Sequence, residues 1–468
     1  MMKSEIQFFE GVMGSGIVAS ITYGNSRVIF DFGAPFNPMT QPYDGQVEKR
    51  EKAWVKNAIR LGQIPAVDGV FAEKDLGLES EIQPYKKSYF TTGVIISHLH
   101  LDHMSGIGMV HPDIPVYLHR DAHKLQTMLD AVGESVGERA FSPIDLYEPF
   151  YIGEIKITAY YSDHPCAGAV GYLIEPPDGK YYYSGDVRMH GGHLDKVVAD
   201  INKIAKEEVD VLILEATTFS PSMYERADNE PLVASLNIPE GMTSERELLE
   251  RVYQDLLGSA DLGIFNIYHR DMELIKGLFA LAADANREIV FEPKTAYIVM
   301  HMLDLFPTVF IPDNKDCTGD PAPYLRFVLE NTPRIVTSDE LMAAPEKYFV
   351  QNSYENILEL FDLAEQGARY YHLYGEPLVE GSRAYKNMQR VLQLTGVQYA
   401  AFANLYCYNH AYPNNLLYMA NEIAARNLIA VHSSSPEKLI CEHSRKVIPE
   451  KGEIYQLVDG ILQPIQLY

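Results

Sequence analysis

The sequence predicts an α/β protein in which a metal site sits on the rim of a sheet and a parallel α/β domain is inserted into the chain that carries it. Three observations lead there. Successive apolar, strand-like runs end in His, Asp or Glu. The stretch from about Thr218 to Asn404 then alternates strands and helices, and strand-rich chain returns after it.

In chain order, GIVASITYG and SRVIFDFG are apolar or alternating runs broken by glycine and asparagine, as in a hairpin-rich sheet, and the second runs into Asp31. Residues 36–90 read as an insertion punctuated by Pro and Gly, with helical periodicity in QVEKREKAWVKNAIRLG; a lid and a surface decoration both fit it. TTGVIIS then enters HLHLDH, KITAYYS leads to Asp163-His164, KYYYS leads to Gly185-Asp186, and VDVLILE ends at Glu215. Strands that each deliver a ligand-type residue build one site on a rigid base.

In the next stretch SERELLERVYQDLL carries a capping box at Ser244 and Glu247. GIFNIY, EIVFE, KYFVQNS, ARYYHLYG and VQYAAFA alternate with helices, among them YENILELFDLAEQ and AYKNMQRVLQL. IAARNLIAVHSSSPEKL and EIYQLVDG then return to strands. The expected division is 1–218, 219–404 and 405–468, the outer pieces forming one domain. A chain of 468 residues, 47% hydrophobic, has more than one core's worth of apolar side chains.

No run of about 18 apolar residues occurs and the N-terminal segment lacks a secretory apolar core, so the reading is a cytoplasmic protein with no membrane span. Cys166, Cys317, Cys407 and Cys441 lie far apart, which excludes a CxxC zinc site and argues for reduced thiols. The net charge of -25 weighs against a polyanionic substrate, although bound divalent ions add positive charge where a phosphate sits.

His98, His100, Asp102 and His103 place four potential ligands within six residues after a buried strand. Imidazole and carboxylate together suit a borderline-soft divalent ion with open positions. His164, Asp186 and His432, each after an apolar run, supply further donors, and the two oxygens of Asp186 suit a bridge between two cations.

The motifs HLHLDH, SDHPCAGAVGYLI, YYSGDVRMHGG and VHSSSPE resemble those of the metallo-β-lactamase superfamily, and the insertion between Glu215 and His410 resembles a β-CASP domain, the mark of its nucleic-acid-processing branch. The resemblance implies an αββα sandwich with that domain inserted. It implies one ion on His98, His100 and His164, a second on Asp102, His103 and His432, and Asp186 shared. By the same resemblance Asp31 orients a ligand histidine, His410 serves the leaving group, and Glu215 orients His410. Tyr408-Asn409 stands where the family usually has Ser-Gly.

The implied activity is that of a ribonuclease J-like hydrolase cleaving single-stranded RNA, exo- or endonucleolytically, with a hydroxide bridging two ions as nucleophile. Asp102, Asp186, His410 and Glu215 are then the catalytic set. Zinc suits the histidine-rich ligands, and manganese is compatible with the carboxylates. DNA is the other polymer candidate, and a homo-oligomer stays open. Arg188 and Arg270 are candidates for a substrate phosphate, since guanidinium donors match its oxygens. The competing functions are hydrolysis of a lactone, thioester or lactam on the same fold, and a non-catalytic RNA-binding subunit; the second normally loses metal ligands, and none is lost here.

Overall fold

The computed structural model describes residues 2–35, 47–77, 80–220, 232–312, 320–364, 367–378, 380–400 and 409–465. The first part of the 36–90 insertion, Cys317, Cys407, Tyr408 and the last three residues of VQYAAFA lie outside these residues. Cys166 and Cys441 are buried free thiols. Among the described residues, no helix is long and apolar enough to cross a membrane.

Two sheets face each other across an apolar core. The first has eight strands and combines the N-terminal hairpin strands Glu5–Glu10, Val18–Tyr23 and Ser26–Phe30 with Thr91–Ile95, Val116–His119 and Ser142–Ile144; the C-terminal hairpin, Ile454–Val458 and Ile461–Pro464, closes its far edge. The second has seven strands, Phe150–Ile152, Ile155–Tyr161, Val170–Glu175, Tyr181–Tyr183, Val211–Glu215, Asn427–Val431 and Arg445–Val447. Alternate residues of facing strands, among them Phe8, Phe30, Ile157, Tyr172, Tyr183, Ile213 and Ile429, fill the space between them. Helices Leu194–Ala205 and Pro413–Ile423 cover the outer face of the second sheet, with Ile201, Ile204, Leu416 and Ala420 packed on Leu212, Leu214 and Leu428.

The outer face of the first sheet is covered partly by residues 47–90, and here the lid and decoration readings are both replaced. Val55, Ala58, Ile64, Val67, Val70 and Phe71 are buried in one cluster with Val94, Ile96 and Leu118. The segment is the crossover joining the parallel strands Ser26–Phe30 and Thr91–Ile95, so it must pass over the sheet face, and it covers that face while doing so. Arg27 fastens it by donating to the Asp68 carbonyl at 2.8 Å.

The third sheet lies wholly between residues 262 and 399. Its seven strands, in the order Ile335–Val336, Thr308–Phe310, Glu288–Phe291, Tyr348–Gln351, Leu262–Ile267, Ala368–Leu373 and Gln398–Tyr399, are all parallel. The chain leaves the second sheet after Val211–Glu215 and re-enters it at Asn427–Val431, which pairs in parallel with the strand it left. The capping box read at Ser244 and Glu247 opens helix Glu245–Leu257. YENILELFDLAEQ departs from a continuous helix: a 3-10 turn over Tyr354–Glu359 has non-helical backbone at Asn356 and leads into the short helix Leu360–Leu363. Helix Arg120–Ala131, beside the first sheet, packs on helix Pro293–Leu303, beside the third, within one continuous apolar cluster.

One buried acid in the third sheet sets a pH dependence. Glu292 is 4% exposed at the end of Glu288–Phe291, accepting from the Ser353 amide at 2.9 Å and its hydroxyl at 2.6 Å. Burial raises its pKa from 4.5 to about 7 despite those bonds. A folded-state pKa above the unfolded value means stability present below pH 4.5 and lost as the pH rises through 7. Glu292→Gln is therefore expected to match wild type near pH 5 and to exceed it near pH 8 by on the order of 3 kcal/mol, measured by denaturant unfolding at both pH values. An equal difference at the two pH values would show that Glu292 ionises normally.

Candidate metal centre

Strand direction brings the ligand-type residues together. The strands ending at Phe30, Ile95, Tyr161, Tyr183, Glu215 and Val431 point the same way within their sheets, so Asp31, His98, His164, Asp186, Glu215 and His432 emerge on one rim. His100, Asp102 and His103 follow His98 through the start of the short helix Leu101–Met104. The loop fits because a glycine faces it: a Cβ on Gly33 would lie 1.7 Å from the Asp102 carbonyl oxygen. Asp31 and His432 both have positive φ, +56° each, a conformation non-glycine residues hold only where surroundings over-determine it.

Three overlapping donor sets result, in each of which the ligand atoms lie within 4.8 Å of one another: His98, His100, His164 and Asp186; Asp102, His103 and His432; and Asp186, His410 and His432. The spacings are those of ligands around an ion. Nitrogen and oxygen ligands at 2.0–2.1 Å in tetrahedral array stand about 3.3 Å apart. His164 Nε2 lies 3.0 Å from His100 Nδ1, and Asp186 Oδ2 lies 3.6 Å from His98 Nε2, 3.6 Å from His164 Nε2 and 3.3 Å from His103 Nε2. His103 Nε2 is 3.9 Å from Asp102, and His432 Nε2 is 2.8 Å from it.

The donor set passes a second test. Nε2 of His98, His100 and His103, Nδ1 of His164 and Oδ1 of Asp186 are buried polar atoms with no hydrogen-bond partner. Each such group costs about 1–3 kcal/mol if left so, and two of them, His98 Nε2 and His103 Nε2, face Asp186 Oδ2 at 3.6 and 3.3 Å. Burial and the neighbouring imidazoles drive the His98 pKa well below 6.5, and His164 goes the same way. His100 falls to about 4, led by burial. Neutral imidazoles are what a metal ion requires. His103 goes the other way: burial lowers its pKa, but Asp186, Asp102 and Asp31 together lift it well above 6.5. There a proton takes the place of the cation that the carboxylates demand. The cluster fits divalent-metal binding.

Asp31 is fully buried, with its Oδ2 2.8 Å from Nδ1 of His103. Asp31 also accepts from the Ser97 amide and hydroxyl, each at 2.7 Å, and from the Tyr183 hydroxyl. Thr217 does for His432 what Asp31 does for His103, its hydroxyl lying against His432 Nδ1. Sequence reasoning missed Ser97, Tyr183 and Thr217; a hydroxyl within three residues of a candidate site residue was the available signal.

His410 reaches the same centre. Its Nδ1 lies 3.2 Å from Glu215 Oε1 and 3.8 Å from Asp186 Oδ2, and its ring stacks on His432 with centroids 5.5 Å apart. Glu215 is fully buried and fixed by the amides of Val187 and Thr217 at 3.3 and 3.0 Å. Burial lowers the His410 pKa, yet Glu215 and Asp186 push it up to about 9.

The two arginines are placed differently from the expectation. Arg188 is 2% exposed and engaged with Asp163 at 3.1 Å, Glu245 at 2.6 Å and Asp271 at 3.9 Å. Arg270 is 4% exposed, donates to the Leu99 carbonyl and lies 3.5 Å from Glu134. Both brace the loops that carry the donors instead of facing a substrate; buried guanidinium keeps its charge only where such partners surround it.

If Asp31 fixes His103 for a metal, Asp31→Ala is expected to weaken metal affinity about 10–100-fold, read by chelator competition with elemental analysis. Unaltered affinity in a folded variant would remove Asp31 from the metal centre.

No curated protein matches the chain. A solved structure of a protein of unknown function from Enterococcus faecalis V583 shares the fold, with a TM-score of 0.77 at 22% identity over 97% of this chain and 100% of that one. The metallo-beta-lactamase fold protein YhfI from Bacillus subtilis aligns over 46% of this chain and 72% of its own at 15% identity, with a TM-score of 0.29. Residues 76–244, which hold all the donors but His410 and His432, match the model of the beta-lactamase superfamily domain, so this part of the chain is similar to that superfamily, and the His/Asp cluster there fits divalent-metal binding.

Proposed function

We propose that the chain is a phosphodiesterase of the β-CASP branch, similar to ribonuclease J, that hydrolyses single-stranded RNA. The observation that carries this reading is the His410–Glu215 pair at 3.2 Å beside the donor cluster. A departing sugar oxygen is a poor leaving group without a proton, and a histidine on a carboxylate supplies one. The third sheet supports the same reading, because a parallel α/β domain reaches the metal-bearing loops, Arg270 donating to the Leu99 carbonyl.

His98, His100 and His164 hold one divalent ion in this proposal, Asp102, His103 and His432 hold the second, and Asp186 serves both; the histidine-rich set favours zinc, with manganese as the alternative. Such a pair, when bound, acidifies water and clamps the oxygens of an in-line displacement. The protein does the rest. Asp31 and Thr217 hold the rings of His103 and His432 from behind. Glu215 takes Nδ1 of His410, leaving Nε2 to hold a proton for the departing 3′ oxygen.

A second reading has its own observation. With a net charge of -25 and both Arg188 and Arg270 committed to protein partners, the site offers neither guanidinium to a polyanion, which favours a small ester, lactone or lactam. Cleavage of 5′-monophosphorylated single-stranded RNA, its DNA counterpart and a lactone panel by metal-loaded enzyme separates the readings. RNA cleavage abolished by Asp186→Ala and slowed about 10²–10⁴-fold by His410→Ala is the expected outcome. Lactone hydrolysis without cleavage of either polymer by protein carrying its metal would transfer the assignment to the second reading.

A further inference from the structure

The segment Tyr268-His269-Arg270-Asp271 leaves the carboxyl end of Leu262–Ile267 in the third sheet and reaches the metal centre. It is pinned along its length. His269 Nε2 lies 3.0 Å from Glu134. Arg270 donates to the Leu99 carbonyl, between His98 and His100, while its own carbonyl accepts from the Ala167 amide at 3.4 Å. Asp271 caps helix Met272–Asp284 through the Leu274 amide at 3.0 Å and lies 3.9 Å from Arg188.

What this anchoring holds in place is Tyr268. Its ring centroid is 5.4 Å from that of His100, and the Arg270 guanidinium carbon lies 5.3 Å from the Tyr268 centroid, so the ring is packed against a donor residue and cannot swing freely. Tyr268 is half-buried, as are His100 and Asp102, and Asp102 is among the charges that act on its phenol. Among the described residues its hydroxyl has no hydrogen-bond partner, and it is not sealed from solvent. A rigidly held hydroxyl group without a protein partner, beside a metal-donor histidine, is a preorganised donor for a ligand oxygen.

We propose that Tyr268 is a substrate-contacting residue whose hydroxyl donates a hydrogen bond to a phosphoryl oxygen seated beside His100 and Asp102. The phosphoryl identity rests on the phosphodiesterase reading above. A neutral phenol suits an acidic chain whose two nearby arginines are spent on protein partners: it gives an anion a donor without requiring a counter-charge. It stands on the His100 side of the centre, whereas His410 stands beside His164 and His432, with ring centroids 5.2 and 5.5 Å away.

Tyr268→Phe keeps the ring against His100 and Arg270 and removes the hydroxyl alone. The test is calorimetric binding of inorganic phosphate to metal-loaded wild type and variant, with elemental analysis of both. Unchanged metal content with phosphate affinity about 10-fold weaker or more is expected. Equal phosphate affinities, absence of phosphate binding by the wild type, or loss of metal from the variant would each overturn the proposal, the last by showing a structural role. The two readings fail separately: phosphate binding that depends on Tyr268 in a protein unable to cleave RNA sinks the ribonuclease assignment and leaves Tyr268 in its role.

Discussion

The rest of the site depends on one buried carboxylate. Asp31, with no exposure to solvent, accepts from Ser97, Tyr183 and His103, residues that follow or belong to strands of both sheets. Only a group with several acceptor positions can join so many donors at one point, and only a strained, positive-φ residue at the end of Ser26–Phe30 presents it there. Removing a buried anion from such a network leaves donors unpaired on two sheets at once, which is more costly than losing a single contact.

A second set of braces joins the inserted region to the metal-bearing loops. Arg188 follows Asp186 by two residues and engages Glu245 at the start of one helix and Asp271 at the cap of another. Arg270 returns the contact by holding the Leu99 carbonyl. The third sheet thus meets the metal centre through buried charge, where geometry is exacting, as well as through the apolar cluster around helices Arg120–Ala131 and Pro293–Leu303, where small shifts are tolerated.

Much of this was legible in the sequence because the donors follow strands, and strands announce themselves by apolar runs that stop. His98, His164, Asp186, Glu215 and His432 could each be read in that way, and the structure brings them together with His410. The partners of Arg188 and Arg270 were not legible: Glu245 is 57 residues from Arg188, and Leu99 is 171 from Arg270, and no periodicity links such positions. Residues 47–90 misled for a related reason. Their punctuation by Pro and Gly is that of a surface loop, yet a parallel crossover has to traverse a sheet face, and Val67, Val70 and Phe71 are what that face buries. Tyr268 carried no signal, since an aromatic at the end of a strand is ordinary until its neighbour proves to be His100.

The pairing of Val211–Glu215 with Asn427–Val431 bears on how the protein is made. A ribosome delivers the chain from its N-terminus, and domains form as they emerge. His98, His100, His164 and Asp186 are all synthesised before the third sheet begins, whereas the set containing Asp102 and His103 waits for His432, which arrives after the last strand of that sheet. The two halves of the centre are therefore separated in time during translation: a nascent chain owns the four donors of the first set while about 250 residues have still to be added before the other set is complete.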